Sequence, residues 1–79
     1  MPDSVLQAIA DQANMIIAGF AFTAMENGFV RVLNLENPEE ACVLDKDGNM
    51  IETTMNDLVL ALVQAYYMNN REFMEAKDA

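Results

Sequence analysis

Set 100° apart on a helical wheel, Val5, Leu6, Ile9, Ala13, Ile16, Ile17, Phe20 and Ala24 fall in one broad stripe, the mark of a helix with one core-facing side. The opposite side begins polar, with Gln7, Asp11 and Asn14, and turns apolar through Met15, Ala18, Phe22 and Met25 at spacings of three, four and three. No charged residue interrupts Gln12 to Met25. Asp3 or Ser4 can cap such a helix by accepting its first backbone N–H groups. Asn27-Gly28 supplies the left-handed residue on which helices commonly end. The pattern predicts a helix from near Ser4 to Glu26.

The period then changes. Phe29 to Leu35 (FVRVLNL) is rich in branched and aromatic residues and reads as a strand. Val30 and Val32 point one way, while Phe29, Arg31, Leu33 and Leu35 point the other, so both sheet faces are candidates for cover. Glu36 to Glu40 is a turn around Pro38, and Ala41 to Asp45 is a second short strand. Asp45-Lys46-Asp47-Gly48-Asn49 is a hairpin signal that leads into a third strand over Met50 to Thr53.

Thr54-Met55-Asn56-Asp57 resembles a capping box, with an Asp in the place of the usual Glu or Gln, and starts a second helix that runs to about Ala76. Leu58, Val59, Leu62, Tyr66 and Phe73 form its main stripe, and Leu60, Val63, Tyr67 and Met74 form another. Arg71 and Glu75 are spaced for a weak ion pair along it. The expected fold is α+β in the order helix, three-stranded antiparallel meander, helix, with the helices packed on the sheet.

Two helices that are each apolar on two sides are hard to bury in 79 residues. A single core of this size supplies only about 3–5 kcal/mol without a supplement. Cys42 is the only cysteine and there is no histidine, so neither an intramolecular disulfide nor a Cys/His zinc site is available. A partner chain is the remaining supplement, and a two-fold homodimer is its commonest form. The second seam, Met15, Ala18, Phe22 and Met25 with Leu60, Tyr67 and Met74, is the expected dimer interface.

The uncharged stretch is too short for a membrane span. Its 14 residues reach about 21 Å, whereas a hydrocarbon core needs about 30 Å. The first ten residues carry Asp3 and no Lys or Arg, unlike a secretory signal, which points to a cytoplasmic protein. A hydrophobic content of 53% argues for folding despite a net charge of −9. Four basic residues against thirteen acidic ones exclude binding to nucleic acid or to anionic membranes by phosphate neutralisation. Glu36, Glu39, Glu40, Asp45, Asp47, Glu52 and Asp57 crowd one window, which predicts a negative end; Glu39, Glu40, Asp45 and Asp47 are its candidate partner face.

Catalytic chemistry finds no foothold in this sequence. With Gly48 at the sixth position of a calcium loop, the first and twelfth positions fall on Val43 and Thr54, neither of which is the required carboxylate. Cys42 has no histidine to activate it and reads as a small buried strand residue. No carboxylate pair stands out, and the three glycines form no phosphate loop. The expectation is a non-catalytic, cofactor-free homodimer that binds another protein. One alternative is a small-ligand module with an apolar pocket near Tyr66, Tyr67 and Phe22; another is an acidic decoy of nucleic acid.

Overall fold

The computed structural model describes residues 13–76. Among them, five strands lie in chain order across one antiparallel sheet: β1 (Met15–Ile17), β2 (Phe20–Ala24), β3 (Val30–Asn34), β4 (Ala41–Leu44) and β5 (Met50–Thr53). A helix, α1 (Asp57–Ala76), follows. The expected three-stranded meander is thus the second part of a five-stranded sheet, and a hairpin stands where the later half of a first helix was expected. The earlier half of that helix, residues 4–12, lies outside the described residues.

The physical reason for the hairpin is local. Ile16, Ile17, Phe20, Phe22 and Thr23 are β-branched or aromatic, types that suit a pleated, half-buried surface. Gly19 in a helix interior would cost about 1 kcal/mol relative to alanine. Ala18 and Gly19 instead take φ of 52° and 84°, as a two-residue turn of the primed kind requires at both central positions. Met15 pairs with Phe22 and Ile17 with Phe20, which puts all four side chains on one face. The spacing that joined Met15, Ala18, Phe22 and Met25 is therefore not helical: Phe22 is core, Ala18 is in a turn, and Met25 opens the β2–β3 connection. In that connection the Gly28 N–H donates to the Met25 carbonyl, so Asn27-Gly28 closes a hairpin and not a helix.

One sheet face makes the core. Phe20, Phe22, Val30, Val32, Cys42 and Leu44 alternate onto it and meet Met55, Val63, Tyr67 and Met74. The helix applies Val59, Leu60, Val63, Tyr66, Tyr67 and Met74 to this face, so the expected second stripe is its packed side together with two members of the first. Asn56 caps α1, its Oδ1 accepting the Val59 N–H at 2.9 Å. Thr54 does not cap; its hydroxyl donates to the Glu39 carbonyl at 2.7 Å and ties β5 to the β3–β4 turn. Gln64 donates to the Gly48 carbonyl and Asn14 to the Met74 carbonyl, so α1 crosses the sheet from the β5 side toward β1.

Candidate functional site

The packed side of α1 leaves its opposite side bare. Leu58, Leu62 and Phe73 are 81%, 44% and 55% exposed, and Ala61, Ala65 and Asn69 are exposed between them. At 100° per residue, Leu58, Leu62, Ala65, Asn69 and Phe73 share one narrow strip that points away from the sheet. No charged residue occurs from Leu58 to Asn70. Met68 stands at the strip's flank beside Gly48.

A second feature is an open groove of about 500 Å³ at the end of the sheet where the β2–β3 and β4–β5 turns meet the later half of α1. Met25, Phe29, Val30 and Met74 give it an apolar floor, and Lys46, Asp47, Arg71 and Glu72 give it two charges of each sign. Its rim is well fixed. The Tyr67 hydroxyl donates to the Lys46 carbonyl at 2.8 Å, and the Arg71 Nη1 donates to the same oxygen at 3.2 Å. Arg71 also stands 3.9 Å from the Asp47 carboxylate, across solvent-exposed ground where such a pair contributes little. The Asp45 carboxylate accepts from the backbone N–H of Asp47 and Asn49 and from the Asn49 amide. Those hydrogen bonds, that to the Asn49 backbone foremost, hold the Asp45 carboxyl below its ordinary value of 3.8.

The residues expected at a dimer seam are not gathered on one surface. Phe22, Tyr67 and Met74 are buried within this chain, Met15 and Leu60 pack against the same core, Ala18 occupies the β1–β2 turn, and Met25 edges the groove. Nor are the acidic residues brought to one end. Glu39 and Glu40 lie in the β3–β4 turn, Asp45 and Asp47 in the β4–β5 turn, and the four residues of β4 separate them. Glu40 also accepts a hydrogen bond from the Asn34 amide at 2.9 Å.

Of the residues expected around a ligand pocket, Phe22 is fully buried, Tyr66 packs its ring 6.3 Å from that of Phe20, and Tyr67 lines the groove. Cys42 is buried, and burial pushes its thiol up to about 11. Among the described residues no three His, Cys, Asp or Glu side chains gather as metal ligands, and no helix is long and apolar enough to cross a membrane.

The exposed strip comprises side chains that the periodicity had assigned to the core. Its signal was present in the absence of charge from Leu58 to Asn70. Which of two apolar stripes meets the sheet is not written in the periodicity of the helix alone.

The model of a family of unknown function (DUF7723) matches residues 3–74, and the chain belongs to that family. Comparison with curated proteins and with solved structures gives no match.

Proposed function

We propose that this chain is a non-catalytic, cytoplasmic protein-interaction module that works as a homodimer, with the uncharged outer side of α1 as its self-association surface. The observation that carries the reading is the exposure of Leu58, Leu62 and Phe73 on one side of a helix whose other side is already packed. Single exposed apolar residues are ordinary, but a contiguous strip is not. With Met68, these side chains offer roughly 400 Å² of apolar surface, the size of the largest and often functional patch on a monomer.

Charge selects the occupant. A chain carrying −9 repels a copy of itself over most of its surface. Over the uncharged run from Leu58 to Asn70, two copies can touch without opposing like charges. Two copies with their rims would bury on the order of 1,000 Å², the low end of specific interfaces, where weak and transient encounters sit.

The test compares the solution mass, by sedimentation equilibrium, of the wild type and of Leu62→Glu up to about 0.1 mM protein. The expected result is a wild-type dimer and a monomeric variant whose circular dichroism and melting are those of a folded chain, since Leu62 is outside the core cluster. A wild type that stays monomeric over that range refutes the reading.

A further inference from the structure

From the order of side chains along the strip we infer that the two protomers pack their α1 helices antiparallel, with the two-fold axis beside Ala65 and with Leu58 of one protomer against Phe73 of the other. This rests on the homodimer reading above and adds its geometry. A two-fold axis perpendicular to a helix pairs positions of constant sum. An axis between positions 65 and 66 matches Leu58 with Phe73 and Leu62 with Asn69, and brings the two Ala65 residues together. Small side chains then lie where the backbones come closest, and large ones close both ends. The strip's spacings of four, three, four and four average more than the 3.6 residues of a helical turn, which favours a shallow crossing of the right-handed kind. Leu58 and Phe73 each lie about 11 Å from the axis, near enough to stay in contact at a shallow crossing.

The parallel alternative meets three objections. It stacks Phe73 on Phe73 at one end and Leu58 on Leu58 at the other, so the helices would splay; the antiparallel pairing gives each end one Leu and one Phe. It also aligns the helix macrodipoles head to head, whereas antiparallel helices oppose them. Finally, it puts both β4–β5 turns, with Asp45 and Asp47, at the same end. In a chain of this charge that adds like-sign repulsion.

Cysteine cross-linking decides between them. Leu58→Cys and Phe73→Cys are prepared separately and oxidised alone or after mixing. Both positions are exposed, while the native Cys42 is buried and serves as the wild-type blank. The antiparallel dimer predicts a disulfide-linked dimer in the mixture, and only the wild-type level in either variant alone. In that dimer the two copies of position 58 are about 22 Å apart, far beyond the roughly 7 Å Cα separation that a disulfide spans.

Self-cross-linking of Leu58→Cys alone would overturn the inference in favour of parallel helices. So would an absence of cross-links in the mixture when sedimentation shows a dimer. In both cases the homodimer reading survives. A wild type that sediments as a monomer removes that reading itself, so the two failures are distinguishable.

Discussion

Gly28 and Gly48 both hold φ at +88°, and they differ in what an added methyl would meet. At Gly28 an ideal Cβ has nothing within 4 Å. At Gly48 it lies 2.7 Å from the Met68 sulfur, 3.2 Å from the Met68 Cγ and 3.5 Å from the Tyr67 ring. An L-residue in the left-handed region costs about 1–2 kcal/mol, of which about 0.4–1 kcal/mol is returned by the stiffer unfolded chain. Gly28→Ala should therefore lose about 1 kcal/mol, all of it in the backbone. Gly48→Ala carries the same loss and a steric one as well.

Tyr67 is buried and pinned by its hydroxyl, but 3.5 Å is ordinary contact. Met68 is 46% exposed and can swing away, at the roughly 0.5–1 kcal/mol of a displaced rotamer and lost packing. We expect Gly48→Ala to cost about 1.5–2 kcal/mol, and the excess over Gly28→Ala to vanish when Met68→Ala is added. Urea unfolding at one fixed protein concentration, arranged as a double-mutant cycle, measures this. Equal losses for the two glycine variants would show that the Met68 contact carries nothing. A larger loss that Met68→Ala fails to relieve would place the obstacle at the Tyr67 ring.

Four further outcomes follow from other positions. Ala18 holds φ of 52° in the β1–β2 turn, so Ala18→Asn should raise stability by about 0.5–1 kcal/mol, read as a higher Tm, because asparagine tolerates that region. Tyr67→Phe should cost about 0.5–1.5 kcal/mol in denaturant unfolding; a larger loss is not expected, because the Lys46 carbonyl keeps its hydrogen bond from Arg71. Cys42 titrates near 9.0 unfolded and near 11 folded, so its contribution is complete below about 9 and is lost as pH rises toward 11; the Tm of Cys42→Ala should fall less steeply than that of the wild type over that window. Added salt should tighten the dimer, since it screens repulsion between two chains of −9; a dissociation constant that rises with salt in sedimentation would contradict an uncharged interface.

The later two thirds of the fold was legible because its signals are local. The Asp45 to Asn49 hairpin, the strand over Met50 to Thr53 and the helix ending at Ala76 all appear with the boundaries that turn residues and periodicity indicate. The β1–β2 hairpin was not legible in that way. An Ala-Gly turn lacks the usual Asn or Asp, and the alternation of Met15 and Ile17 with Phe20 and Phe22 is interrupted by two residues, so it also satisfies a 3.6-residue period. The β-branched and aromatic content, with glycine at the centre, was the discriminating evidence. The exposed strip was missed for a related reason. Leu58, Leu62 and Phe73 look like core residues on a wheel, and it is the diagonal crossing of α1, fixed by Gln64 on Gly48 and Tyr67 on Lys46, that turns them outward.

A second apolar surface competes for the role of interface, and its chemistry argues against it. Met50 and Ile51 are exposed on β5, an edge strand whose outer side could pair with another copy. That edge is guarded in the ways that sheet proteins commonly use. It is four residues long, its register shifts opposite Val43 and Leu44, and Glu52 stands exposed along it. Pairing of two β5 strands would also bring together the edges of two chains that each carry −9. The outer side of α1 carries none of these guards over its uncharged run. It also shares no residue with the core cluster, so substitutions there should alter the proposed assembly while leaving the fold standing, whereas substitutions at Phe22, Val32 or Leu44 should undermine the fold itself. That separation favours the helix over the sheet edge as the proposed interface, because a substitution there tests assembly without disturbing the core.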